Sequence, residues 1–173
     1  MGVYMHWLMR QLAPLIAWLA ERVFHLPVLR RSRRRHQLAM RLFRFASDNG
    51  SQRALSVYGH LLHFRGEDQA SRIQGAIYLQ RAADQGDLRA QYQMGRIFEN
   101  GYEHYFQPDL TRALQYYRLA AQQCHPLAIR RMIEVYEEGA LGVAIDPARA
   151  DCWRKRQAEL PSHAALNVLS ESR

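Results

Sequence analysis

Apolar and small positions recur along this chain at helical spacing, and the runs they form recur in turn. Ala54, Ala90 and Ala128 stand 36 and 38 positions apart; four residues after each come Tyr58, Met94 and Met132, and eight after come Leu62, Phe98 and Tyr136. Offsets 0, 4 and 8 share one face of an α-helix, where the alanine admits a close neighbour and the larger residues fill the groove. Gly59 and Gly95 hold offset 5, where a Cβ would push a neighbouring helix away. Ile133 stands there in the third copy, which predicts looser packing or a free face. A second register accompanies the first. Ala39, Gly75, Ala113 and Ala150 are followed at three residues by Leu42, Tyr78, Tyr116 and Trp153, and at seven by Ala46, Ala82, Ala120 and Gln157. The last copy loses its small residue at Gln157, as a terminal repeat facing solvent would.

Neither run buries its apolar face alone, so the pairs must stack into a continuous core. The expected helices are 52–64 with 70–84, 88–100 with 109–122, and 126–138 with 147–159. A half repeat from 37 precedes them and ends in the turn Asp48-Asn49-Gly50. Asp109 and Asp146 sit where helix N-caps belong, and Pro147 in a first helical turn.

These residues resemble the Sel1-like repeat family, relatives of the tetratricopeptide repeats. The third copy keeps the loop residues Gly139, Gly142, Val143, Asp146, Arg149, Ala150 and Trp153. The second keeps Ala90, Met94, Gly95, Gly101, Asp109, Arg112, Ala113, Tyr116, Tyr117, Ala120 and Ala121. The first keeps Ala54, Gly59, Ala82, Ala83 and Gly86, but its loop at 65–74 lacks the family's glycine-valine-aspartate form. The resemblance covers about residues 37 to 159. It implies an all-α fold, a right-handed α-solenoid of antiparallel helix pairs, serving as an interaction scaffold or adaptor without catalysis or cofactor.

Ahead of the repeats, Trp7, Leu8, Leu12, Leu15, Ile16, Leu19, Val23 and Phe24 fall together on a helical projection, with Arg10, Gln11, Glu21 and Arg22 elsewhere. This predicts an extra amphipathic helix, kinked at Pro14. Its longest mostly apolar run, Leu12 to Ala20, is nine residues, against about 20 for a membrane span. Arg30, Arg31, Arg33, Arg34 and Arg35 follow and are read as a linker. An amphipathic segment beside clustered arginines suits an anionic bilayer surface, with Trp7, Trp18 and the five arginines as its contacts. Two other readings stand beside it: a cap on the end of the array with a solvated linker, and arginines on nucleic-acid phosphates. A cleaved leader is opposed by the lack of a small-x-small site before a polar mature start. A secreted or periplasmic repeat protein is therefore the alternative to a cytoplasmic one peripheral on the inner membrane.

Charge sharpens this division. The net charge of +8 lies wholly in residues 1–53, which hold ten arginines against two acids; residues 54–173 hold fourteen of each sign. The repeats are therefore not a basic groove for nucleic acid. The two cysteines, Cys124 and Cys152, are read as free thiols in a reducing compartment. His60 and His63 with Glu67 lack a third placed metal ligand. Cys124 beside His125 lacks an orienting third group. No phosphate-cradling loop or nucleophile elbow is present. The aromatic loop residues Tyr102, Tyr105 and Phe106 are expected to fold back onto a neighbouring repeat.

In such arrays the first helices line the concave face, and outward positions repeat with the unit. Offset 3 gives Val57, Gln93 and Arg131; offset 6 gives His60, Arg96 and Glu134; offset 10 gives Phe64, Asn100 and Glu138. This ladder is the candidate groove for a protein or peptide partner. The polar tail at 160–173 is expected to be partly ordered at best.

Overall fold

A computed structural model describes the backbone of residues 2–25 and 33–160 and the side chains of 9, 11–22 and 37–160. Among the described residues the chain forms α1 (Gly2–His25), α2 (Arg33–Asp48), α3 (Gln52–Arg65), α4 (Gln69–Asp84), α5 (Leu88–Asn100), α6 (Leu110–Gln122), α7 (Pro126–Glu138) and α8 (Pro147–Ala158). One isolated antiparallel bridge joins Tyr102 to Phe106. Two compact units divide the chain, Met1–Gln85 and Gly86–Arg173.

Each of α3 to α8 starts on a side chain that accepts a backbone N–H three residues on, satisfying one orphan donor of the first turn. Ser51 takes Ala54, Asp68 takes Ser71, Asp87 takes Ala90, Asp109 takes Arg112 and Asp146 takes Arg149. In α7 the cap is His125, whose Nδ1 accepts from the Ala128 amide at 3.3 Å. The long loops of unit 2 return to equivalent places. Asp109 N donates to Phe98 O at 2.7 Å, and Asp146 N donates to Tyr136 O at 2.8 Å.

In unit 1, α1 packs on α2 and α3, α2 on α3, and α3 on α4. Gly59 lies under Leu79 of α4, where an added Cβ would stand 3.0 Å from the Leu79 amide nitrogen. Tyr58 meets Tyr78 edge-on at 5.0 Å, and the Tyr78 hydroxyl donates to Asp48 Oδ1 at 3.0 Å. Arg53 Nε donates to Glu21 Oε1 at 2.5 Å, fastening α3 to α1.

One N-terminal expectation is corrected. Arg33–His36, read as linker, form the first turn of α2; arginine is a good helix former and nothing in that stretch breaks a helix. The inward side of α1 is a seam of small residues. Ala13, Ala17 and Ala20 are buried, whereas Leu12, Leu15, Trp18 and Leu19 are exposed on the same arc as Gln11 and Arg22. The alanines repeat at i, i+4 and i+7 and let two helix backbones approach closely, so they take the interface. Pro14 lies within α1, a single helix from Gly2 to His25.

In unit 2, α5 packs on α6, α6 on α7 and α7 on α8. The ring of Tyr117 covers Gly95, and the rings of Phe98 and Tyr116 stack at 5.8 Å. Phe106 folds back edge-on onto Phe98 of its own repeat, while Tyr105 stays exposed. Ile133, expected to mark looser packing or a free face, is buried. The residue equivalent to Tyr117 in that repeat is Arg154, which turns to Glu137 and Asp151. The bulk that α6 supplies over Gly95 is thus supplied in the last hairpin from α7. Gln157 is exposed, and Ala150 is the buried residue of α8.

Candidate interaction face

The outward stripe of α5 carries Arg89, Tyr92, Arg96, Glu99 and Asn100; that of α7 carries Arg130, Arg131, Glu134 and Glu138. Side chains join the two stripes. Glu99 accepts from the Tyr117 hydroxyl at 2.7 Å and from Arg131 Nη2 at 2.5 Å. Arg131 Nη1 and Arg130 Nε each donate to Glu134 at 3.1 Å. Tyr92 stacks on His125 at 4.5 Å and tilts against Tyr117 at 5.8 Å.

The electrostatics follow from this packing. Burial raises the Tyr92 hydroxyl pKa, with Arg96, Arg130, Glu134 and Glu99 all acting on it. Burial likewise raises Tyr117, and its bond to Glu99 adds to the rise. Burial alone would lower Arg131, but its bonds to Glu99 and Glu134 raise it on balance. His125 is pushed down to about 4, first by burial and then by Arg89.

The nine residues of the expected ladder fare differently. In unit 2, Arg96, Asn100 and Glu138 are exposed, and Asn100 donates to Arg96 O at 3.0 Å. Arg131 and Glu134 are brought together, but as parts of the bridge to Glu99. Gln93 is a correction: it is buried, 8% exposed. Offset 3 lies only about 60° from the alanine on a helix, inside the covered arc. In unit 1, Phe64 is exposed, while Val57 and His60 are half-buried. The His60 ring bonds Ser56 O through Nδ1 at 2.9 Å and stacks on Phe64 at 6.1 Å.

Tyr92, Glu99 and Arg130 belong to the face and were not in the ladder. The signal that would have found them is offsets 2 and 9, which point opposite the alanine. Of the residues expected to touch a membrane or anion, Trp18 is exposed, with the Arg22 guanidinium 5.2 Å over its ring. Arg33, Arg34 and Arg35 lie in α2; their side chains, that of Trp7, and Arg30 and Arg31 altogether, lie outside the described residues. Among the described residues no helix is long and apolar enough to cross a membrane. Cys124, at the turn after α6, and Cys152, on α8, are exposed and line one cleft with Lys155 and Arg156.

The model of the Sel1 repeat matches the chain over residues 33–51, 52–87 and 88–123. The chain belongs to the Sel1 repeat family. The matched segments follow the hairpin boundaries, and α1 and the pair α7–α8 lie outside them. A crystal structure of a Sel1 repeat protein from Oxalobacter formigenes superposes with a TM-score of 0.71 at 22% identity, over 85% of this chain and 58% of that one. A second, of a protective antigen present in uropathogenic Escherichia coli strains and displaying an SLR fold, gives a TM-score of 0.65 at 23% identity, over 94% of this chain and 32% of that one. The chain spans less than two thirds of either structure. The fold of this Sel1 repeat chain is therefore the all-α solenoid fold of SLR proteins. No curated protein matches the chain. Sel1 repeat proteins are generally protein-interaction scaffolds.

Proposed function

We propose that this chain is a non-enzymatic scaffold or adaptor that holds a protein or peptide partner on the outward stripes of its first helices. Residues 1–36 keep it at an anionic membrane surface on the cytoplasmic side. The observation that carries the scaffold reading is the α5–α7 face. Its floor is a half-buried tyrosine, its rim holds Arg89, Arg96 and Arg130, and its shape is fixed by the Glu99–Arg131 bridge. Rigid aromatic and arginine side chains are the groups that most often anchor partners.

Arg96 and Arg130 are the residues to reverse, because Arg131 is part of the bridge. Affinity purification of the full chain from its native cell is compared with Arg96→Glu and Arg130→Glu, each checked for an unchanged helical spectrum. Loss of the co-purifying protein supports this face; equal recovery by both variants counts against it. For the membrane part, the full chain and a chain lacking residues 1–36 are sedimented with anionic vesicles. Equal binding by the two sinks that part.

A further inference from the structure

The outer face of α1 is more defined than an amphipathic pattern. Leu15 and Trp18 are 63% and 56% exposed, and Leu12 and Leu19 flank them at 39% and 47%. These residues lie on one arc because the alanine seam fixes the opposite side of the helix inward. Arg22 is on the same arc, its guanidinium above the Trp18 ring. Exposed apolar groups clustered in this way mark an interaction surface.

The charge of the segment that carries this face restricts its occupant. Residues 1–53 contain ten arginines and only the acids Glu21 and Asp48. Both acids are engaged within unit 1. Glu21 pairs with Arg53 at 2.5 Å, and Asp48 accepts from Tyr78 and lies 3.8 Å from Arg44. A second copy docking here would set one arginine excess against another, which like-charge juxtaposition opposes. An anionic bilayer offers the complement. Its headgroups answer the arginines, and its acyl boundary takes the leucines. An indole with a guanidinium above it suits the headgroup level, where tryptophan collects and arginine reaches phosphate.

We propose that α1, still docked on α2 and α3, is the bilayer-contacting element of the folded chain, with Leu15 and Trp18 entering the acyl boundary and Arg22 on lipid phosphate. This rests on the membrane part of the function proposed above and specifies its contact face. The chain neither unfolds nor releases α1 to bind.

The test uses the full chain with phosphatidylglycerol–phosphatidylcholine vesicles and with phosphatidylcholine vesicles alone. The parent is expected to sediment with the anionic vesicles and to lose binding when the anionic lipid is omitted. Leu15→Glu and Trp18→Glu each remove one apolar anchor and are expected to weaken binding about tenfold or more. Their circular dichroism should be unchanged, since neither side chain is buried, and Leu15→Phe should bind like the parent. Parent-like binding by both glutamate variants overturns this face while leaving residues 1–36 as a membrane segment. Absence of binding by the parent sinks both readings. A concentration-dependent dimer that Leu15→Glu abolishes, with no lipid binding, overturns the proposal and gives the face to a second copy.

Discussion

A Cβ built on Gly95 would stand 2.6 Å from Cδ1 of Tyr117, so the tyrosine ring rests on the backbone of α5. The ring is fixed from its other end by Glu99 and cannot swing away without breaking that bond. Gly95→Ala should therefore destabilise the protein, overpacking by about 1–3 kcal/mol outweighing about 1 kcal/mol of gained helix propensity. Gly59→Ala meets the more yielding Leu79 side chain at 3.1–3.2 Å and its amide nitrogen at 3.0 Å, so it should cost less. Urea unfolding of the two variants checks the order; a Gly95→Ala protein as stable as the parent would show that the ring has room.

The last hairpin reverses this arrangement. With Arg154 turned to Glu137 and Asp151, Ile133 is the buried group at the position glycine holds elsewhere. Ile133→Ala should cost about 2–4 kcal/mol through lost burial and an unfilled space. Ile133→Gly, which restores the repeat consensus, should cost more. A consensus glycine that leaves the midpoint of denaturation unmoved would mean that α7 and α8 close around the gap.

Glu99 accepts from two elements at once, Tyr117 on α6 and Arg131 on α7. Its bridge to Arg131 is about four-fifths shielded, with side chains 20% and 23% exposed. Glu99→Ala strands a hydroxyl and weakens the hold on a guanidinium, a loss of about 2 kcal/mol. Glu99→Gln keeps an acceptor for Tyr117 and should recover part of that loss. Thermal unfolding of Glu99→Ala, Glu99→Gln and Tyr117→Phe separates the two bonds; equal melting of all three with the parent would remove the network from the account.

What was legible in the sequence was whatever has to repeat. Ala54, Ala90 and Ala128 are buried because each hairpin needs the same close approach, and the loop aspartates cap because each second helix starts at the same place. What was not legible depends on a neighbour outside the repeat. On α1 the period of the large residues left open which side packs, because Ala13, Ala17 and Ala20 carry the same period and pack closer. A cluster of arginines has the composition of a linker and the propensity of a helix, and α2 shows the second prevailing. Gln93 was misplaced because α5 is covered over a wide arc. The Glu99–Arg131 bridge escaped because charge pairing between helices leaves no period in the chain.

The N-cap of α7 is a histidine where α3 to α6 and α8 use serine or aspartate, and this makes unit 2 sensitive to acid. Nδ1 of His125 must be unprotonated to accept the Ala128 amide, and burial holds its pKa near 4 against 6.5 when unfolded. The unfolded chain therefore binds the proton more readily than the folded one. His125 contributes its full stability above pH 6.5 and loses it as pH falls towards 4, at about 1.4 kcal/mol per pH unit and about 3 kcal/mol in all. The melting temperature should fall across that window, more than carboxylate titration alone would produce there. His125→Asn keeps a capping acceptor without a titrating ring and should flatten the fall, although it gives up the stack on Tyr92. Parallel pH–melting curves for parent and variant would show that the cap does not titrate in this range.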